Sequence, residues 1–399
     1  MTALSDARIV LGVTGGIAAY KAIEVSRRLV DAGAHVTPVL TEGAERFVGR
    51  TTFDALASDK VQTSLWDETS PIPHTRLGQN ADLIIVAPAT ARLLADYRMG
   101  RSDDLLTATL IATRAPVLVA PAMHTEMWEH PAVQDNIETL RSRGVHIVDP
   151  EAGRLAGGDT GEGRLASPAS IVAHAERVLS SGALDGVSVV VTAGGTNEPI
   201  DAVRVVSNRS TGKQGYAVAE AAWARGGDVT LITTVDREPP TGIDVVHVAT
   251  AAEMEKAVME RATADVIVMA AAVADFRPVD PAGHKIKKTD GDVPEIELER
   301  THDFLVDLGQ RKVSGQTLVG FAAETSALID NAKDKLVRKN LDLIVANDVS
   351  APGAGFAHDT NDVTILAADG ALVDVPLTSK RAVAETIVDV IVRVRSAND

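Results

Sequence analysis

Apolar positions along the chain follow two rhythms. Short runs rich in Val, Ile and Leu stand at 9–13, 35–40, 83–87, 117–120, 189–192, 229–233, 245–248 and 266–270. Continuous apolar runs of that length predict strands buried on both faces. Between them, a period near 3.6 at 17–29, about 91–97, 104–113, 131–143, 214–225 and 251–263 predicts helices. Gly33 and the pair Gly226-Gly227 stop a helix just before the next strand. Ser167 followed by Pro168 predicts an N-cap and first turn for a helix to about 179. The runs 363–366 and 372–375 flank Asp369-Gly370 and predict a hairpin, and 379–394 predicts a closing helix. The alternation predicts mostly parallel, doubly wound sheets. Because the plan starts twice, at 9 and at 189, the expected fold is α/β, with two tandem Rossmann-like or flavodoxin-like three-layer domains. The polar stretch 180–186 is a linker, which places the domains at 1–182 and 183–399.

Length and composition narrow the class. A chain of 399 residues suits two domains. No apolar run reaches membrane-spanning length and the first residues lack a signal-peptide pattern, so a cytoplasmic protein without a membrane partner is expected. A net charge of −16 and 3% aromatic residues disfavour nucleic acid. There is no cysteine, which excludes disulfides, protein thiolates and zinc–cysteine sites.

Both strand–helix units carry glycines where the first strand ends: Gly12, Gly15 and Gly16 in one, Gly194 and Gly195 in the other. Glycine lets a backbone approach a phosphate closely. The second loop continues into Asn208-Arg209-Ser210-Thr211-Gly212-Lys213, whose glycine-to-lysine spacing is not that of a Walker A motif. Neither unit has GxGxxG with a ribose-binding acid, which counts against a dinucleotide oxidoreductase. These features alone indicate a nucleotide or phosphorylated ligand.

The stretch VVVTAGGTNEPIDAVRVVSNRSTGKQGYAVAEA (189–221) resembles the opening of phosphopantothenate–cysteine ligases. The resemblance continues through AAVADF (271–276), KIKK (285–288), VGFAAET (319–325) and KNLDLIVANDV (339–349). It implies that Asn208 holds an acyl-cytidylate, that Arg204 binds phosphopantothenate, and that Lys285 contacts the CTP phosphates and assists attack. It also places Asp275, Lys335 and Lys339 at CTP and makes Phe321 and Phe304 substrate-binding. Phe304 falls in the family's PDI-type turn, although His302 replaces the proline there. A tight basic cluster such as 285–288 is usually a solvated loop, but it suits a triphosphate.

In the first half, GVTGGIAAYK (12–21), APAT (87–90) and APAMHTEMW (120–128) follow strands. The set resembles the flavin-dependent cysteine decarboxylases. That resemblance implies FMN, with Gly15, Gly16, Ala18, Thr41, Thr90, Asp103, Asp104 and Met123 as binding residues. It makes His74 the catalytic histidine, a role suited to a side chain that titrates near neutrality. Three departures stand out: Arg92 for the family's asparagine, His124 for the asparagine of PAMN, and Gly157 for the flap cysteine that serves as proton donor. His124, an acid-capable side chain at a changed position, is the expected replacement donor.

Together the resemblances run from about Arg8 to Arg395. They imply ligation of L-cysteine to 4'-phosphopantothenate with CTP and Mg²⁺, then FMN-dependent decarboxylation to 4'-phosphopantetheine. The metal ligands are not identifiable. An alternative is a ligase whose flavin domain is only a scaffold. The implied assembly is a homo-oligomer of ligase dimers and flavin-domain trimers, up to a dodecamer.

Overall fold

The computed structural model describes residues 2–66, 71–287, 295–324, 328–348, 355 and 358–398. Lys288, Thr325 and Val349, each within a stretch singled out above, lie outside the described residues. The chain divides into two compact units, Met1–Ser181 and Gly182–Asp399.

The first unit runs β1 (Arg8–Val13), α1 (Ala19–Asp31), β2 (His35–Leu40), α2 (Arg50–Leu56), α3 (Pro73–Asn80), β3 (Leu83–Ala89), α4 (Ala91–Met99), α5 (Leu105–Ala112) and β4 (Val117–Pro121). It continues with α6 (Thr125–Trp128), α7 (Pro131–Ser142), β5 (His146–Ile147), β6 (Glu151–Arg154), β7 (Thr160–Arg164) and α8 (Pro168–Leu179). Five parallel strands stand in the order β2-β1-β3-β4-β5, the flavodoxin order. Its order reverses between β1 and β3. Alternate residues of β1 and β3 serve opposite faces. Ile9, Leu11 and Ile85 pack with α1 and α8, while Val10, Ile84 and Val86 pack with α4, α5 and α7. Each fully buried Ile or Leu contributes about 1.5–3 kcal/mol. Helix α1 turns Ala22, Val25, Ser26 and Leu29 inward at three- and four-residue spacing. Ser167 caps α8 by accepting from the Ser170 amide at 3.2 Å, with Pro168 in the first turn. The glycine-rich stretch 151–164 gave no period-2 signal, yet it forms the antiparallel β6–β7 hairpin.

The second unit runs β8 (Ser188–Ala193), β9 (Asn197–Pro199), β10 (Val205–Ser207), α9 (Lys213–Ala224), β11 (Asp228–Thr233), β12 (Asp244–His247), α10 (Ala251–Met259), β13 (Val266–Met269) and β14 (Phe276–Pro278). Next come β15 (Leu298–Arg300), α11 (Phe304–Arg311), β16 (Thr317–Glu324), α12 (Leu328–Arg338), β17 (Leu343–Asp348), β18 (Thr360–Ala367), β19 (Leu372–Ser379) and α13 (Lys380–Asn398). The main sheet is ordered β12-β11-β8-β13-β16-β17-β18-β19. Its first six strands are parallel and follow the dinucleotide-fold order, with the reversal between β8 and β13. The last two are antiparallel, the hairpin expected around Asp369-Gly370. Among the described residues no helix is long and apolar enough to cross a membrane.

Candidate active sites

In open α/β sheets, ligands bind beyond the carboxyl ends of the strands where the order reverses. Thr14, buried after β1, joins the two loops there in the first unit. Its hydroxyl donates to the Pro88 carbonyl at 2.7 Å and accepts from the Thr90 amide at 3.2 Å. The joined loops open onto a cavity of about 750 Å³. Gly15, Gly16, Ala18, Thr90, Met123 and His124 line it, together with Arg154 and Arg164 from the β6–β7 hairpin. Helix α1 starts at Ala19 after Ala18, which gives no side-chain cap; the Ala19 and Lys21 amides already donate to the Gly16 and Ala18 carbonyls at 3.0 Å, and the glycines ahead of them leave room for an anion at the helix start. Ile17, Tyr20 and Met127 are exposed large apolar side chains on the same wall. An uncapped helix start beside apolar walls fits a phosphorylated planar ligand such as FMN. Lys21 donates to the Leu165 carbonyl at 3.0 Å, and burial, followed by the neighbouring Arg164, lowers its pKa.

The hairpin tip meets His124. His124 Nδ1 bonds Glu126, and Nε2 lies 3.1 Å from Asp159 Oδ2. The bond to Glu126 leads the causes that raise the imidazole pKa above its ordinary value, with Asp159 adding to it. A Cβ placed on Gly157 would come within 3.2 Å of His124 Nε2. A side chain at position 157 and the His124 imidazole therefore compete for one spot. Gly163, at φ +125°, lets β7 run against the Met123 carbonyl, which any Cβ there would meet at 2.3 Å.

Four residues expected at the flavin stand off this cavity wall. Thr41 bonds Val13 backbone, its amide donating to the Val13 carbonyl at 3.1 Å, one layer behind the glycine loop. Asp104 caps α5 in a reciprocal capping box with Thr107. Asp103 pairs with Arg101. His74 sits in the first turn of α3, half-buried, with Nδ1 buried and unpartnered.

In the second unit, Thr192, buried at the end of β8, accepts from the Ala271 amide at 3.0 Å, joining the two reversal loops. Thr196 accepts from the Ala274 amide at 2.9 Å, and Glu198 from the Ala251 amide at 2.9 Å. Much of the TAGGTNEPID stretch thus consists of buried polar side chains that satisfy backbone donors. Asp201 extends the pattern. Its carboxylate accepts from the amides of Val203 and Arg204 at 2.8 Å and of Ile286 at 3.2 Å, and Arg204 Nη2 lies 3.1 Å away. Burial raises the Asp201 pKa, but these donors outweigh it and hold the carboxyl below its ordinary value. One carboxylate thereby brings Arg204 and the Lys285 segment together. Asn208 donates to the Ala272 and Val273 carbonyls at 3.2 and 3.3 Å, beside Asp275, which is exposed.

A cavity of about 120 Å³ opens at the start of α9. Phe321 lines it, as do Lys213, Gln214, Asn347, Asn361 and Lys380. Sequence reasoning missed the last five as site residues. Asn361 and Lys380 lie more than 140 residues from Gln214 and Lys213 in the chain, and no local pattern marks them. Asn361 donates to Gln214 Oε1 at 2.9 Å, and Lys213 pairs with Asp359 at 2.6 Å. Lys380 is buried, which lowers its pKa, with Lys213 adding to the effect. Asn347 Oδ1 is buried with no partner. The structure places Phe304 differently from a ligand contact: it is 2% exposed at the start of α11, within the apolar core. Lys339 follows α12 and pairs with Asp303 at 2.7 Å, and Lys335 lies one turn earlier.

The flavoprotein family model matches residues 1–180, and that of the DNA/pantothenate metabolism flavoprotein C-terminal domain matches 184–394. The chain is 49% identical over 402 residues to the coenzyme A biosynthesis bifunctional protein CoaBC of Mycobacterium tuberculosis (strain ATCC 25618 / H37Rv), covering 96% of each chain. It is 48% identical over 385 residues to the protein of that name from Bacillus subtilis (strain 168), covering 94% of each. A solved C-terminal domain of a coenzyme A biosynthesis bifunctional protein CoaBC is 40% identical, covers 53% of this chain and 97% of that one, and aligns with a TM-score of 0.46.

Proposed function

The chain belongs to the family of bifunctional coenzyme A biosynthesis proteins, and we propose that its two units divide the family's two reactions between them. The first, residues 1–182, is the FMN-binding decarboxylase, and the second, 183–399, the CTP-dependent ligase. The observation that carries this reading is that each sheet reverses its order beneath a cavity joined by a buried threonine, Thr14 or Thr192.

In the ligase unit, the 4'-phosphopantothenate carboxylate displaces pyrophosphate from CTP to give an acyl-cytidylate. The amine of L-cysteine then attacks the acyl carbon, and CMP leaves with the former carboxylate oxygen. Lys285 offsets the phosphate charge and Arg204 holds the phosphopantothenate phosphate, both set by Asp201. Asn208, anchored through its Nδ2, holds the acyl-cytidylate. Lys213 and Lys380 form the cationic wall beside the nucleotide, and the unpartnered Asn347 Oδ1 offers an acceptor to an amine donor such as that of cytosine. Asp275, Lys335 and Lys339 complete the nucleotide surround. Mg²⁺ enters with the triphosphate.

In the decarboxylase unit, bound FMN supplies the two-electron oxidation of the substrate thiol that makes loss of CO₂ possible, and the later return of hydride. The first turn of α1, with Gly15, Gly16 and Thr90, would hold its phosphate, and Met123 would pack against the FMN from the cavity wall. His124, its pKa raised chiefly by Glu126 and further by Asp159, delivers a proton to the enethiolate carbon in place of the missing cysteine. His74 manages the substrate's proton and carboxylate. His74, Asp103 and Asp104 reach a cavity when copies of the chain assemble; the unpartnered His74 Nδ1 and the exposed Ile17, Tyr20 and Met127 support such an assembly.

The test is a coupled assay with 4'-phosphopantothenate, L-cysteine, CTP and Mg²⁺ that follows pyrophosphate and CO₂ separately. Both products are expected. Pyrophosphate without CO₂ would reduce the first unit to a scaffold. For the donor assignment, His124→Ala should release CO₂ slowly, and His124→Asn with Gly157→Cys should restore the rate. A fully active His124→Ala would remove His124 from the reaction.

A further inference from the structure

The flavin-side cavity lies at the carboxyl edge of the first sheet. At the opposite, amino edge of the same sheet a second cavity of about 720 Å³ opens beneath the starts of β1, β2 and β3. Neither reaction uses it. Its volume falls within the range of small-molecule sites.

Arg8, Lys60 and Arg76 line it from three different segments. All three are exposed, and among the described residues none is held in a salt bridge, although Arg76 acts on Asp59 through space. Elsewhere in this chain basic side chains are commonly paired, as Arg98 is with Asp135 and Arg225 with Glu385. Two carboxylates also line the cavity. Asp59 is already engaged, accepting from the Thr37 hydroxyl at 2.6 Å and facing His35 Nε2 at 3.1 Å. Asp6, in the left-handed region at φ 62°, is the other. Three cations against two carboxylates leave the cavity locally positive within a chain of net charge −16. A wall of three cations against two carboxylates, one of them already held by Thr37 and His35, suits an anion with several oxygens.

A second observation adds to the charge. Gln62 lines the same cavity, and its Oε1 is buried without a hydrogen-bond partner. Its Nε2 is engaged, donating to the Lys60 carbonyl at 3.2 Å. A buried acceptor left unsatisfied costs free energy that a ligand's O–H or N–H would recover. We propose that the amino-edge cavity is a second ligand site, which takes a phosphate monoester bearing a hydroxyl or N–H donor. Arg8, Lys60 and Arg76 receive the phosphate, and the Gln62 amide, turning its solvent-inaccessible Oε1 toward the cavity, accepts from the donor. Helix α3 carries both Arg76 and His74, so the ligand grips the helix that presents His74.

Hydrogen–deuterium exchange on the flavin-loaded full chain tests this, with ribose 5-phosphate and inorganic phosphate as probes. Ribose 5-phosphate should protect segments 57–62 and 74–81, at a half-saturating concentration at least about tenfold below that of inorganic phosphate. Lys60→Ala and Arg76→Ala should each raise that concentration about tenfold. Both side chains are exposed, so neither variant tests the fold instead. Gln62→Leu should erase the preference for the sugar phosphate. No protection at these segments, protection unchanged in Lys60→Ala and Arg76→Ala, or protection confined to 208–215 in the second unit would overturn the site. Equal binding of the two probes by the unaltered chain would overturn the donor contact.

Discussion

The two units start from the same strand–glycine–helix plan and end with different cavities. In the first, α1 begins six residues after β1, and its uncapped start opens onto about 750 Å³ edged by exposed apolar side chains. In the second, the β9–β10 hairpin is inserted between β8 and α9, and the cavity at the helix start shrinks to about 120 Å³. The cations differ as well. In the second unit Arg204, Lys213 and Lys339 are each tethered to a carboxylate, so an arriving phosphate exchanges one anion for another. The first unit offers a glycine loop and a helix start without a side-chain cap, and burial lowers the pKa of the nearby Lys21. One scaffold thus yields a roomy apolar slot for a resident ring in one case. In the other it yields a tight cationic seat for a group that comes and goes.

The sharpest way to break this division is a reciprocal pair of variants. His74→Ala should cut CO₂ release by about 10²–10⁴-fold and leave pyrophosphate release and flavin absorbance unchanged. Lys285→Ala should cut pyrophosphate release by about 10²–10³-fold, with CO₂ release from supplied phosphopantothenoylcysteine unchanged. If either variant lowered both rates equally, the division of labour would fail. A finer test is the pH profile of decarboxylation. His124 is raised above its ordinary value chiefly by Glu126, so the protonated donor persists to higher pH and the rate falls only as pH climbs through that raised value. Glu126→Gln should move the alkaline fall to lower pH without touching ligation; an unmoved limb would exclude His124 as the titrating acid. The smallest effect concerns fold alone. Gly370 turns the β18–β19 hairpin at φ +88° with open space around it, so Gly370→Ala should cost about 1–2 kcal/mol of backbone strain, read from denaturant unfolding, and leave both activities intact.

Much of this was visible in the sequence. Central strands buried on both faces are continuous apolar runs, and helices α1, α5, α7 and α9 fall within two residues of their periodic stretches. Short or polar elements were not visible: β6–β7 is mostly glycine and charge, and β9–β10 and β14–β15 are three-residue ladders without a pattern to detect. Glycine loops announced the sites because they end strands. Gln214, Asn361 and Lys380 did not, because only the closing of the eight-stranded sheet brings them together. Phe304 shows the converse error, since a motif position can be occupied by a core residue.

With His124 as the proton donor proposed above, its contact with the hairpin tip would link chemistry to timing. An imidazolium has two N–H groups and here meets two carboxylates, Glu126 and Asp159. Once it has given up a proton only one N–H is left, and one of those contacts must weaken. If the weakened contact is the one to Asp159, the hairpin is unlatched by the same event that completes the product. The residence time of product under the hairpin would then follow the re-protonation of a single side chain. The tethers described in the second unit join a lysine or an arginine to a carboxylate and involve no imidazole.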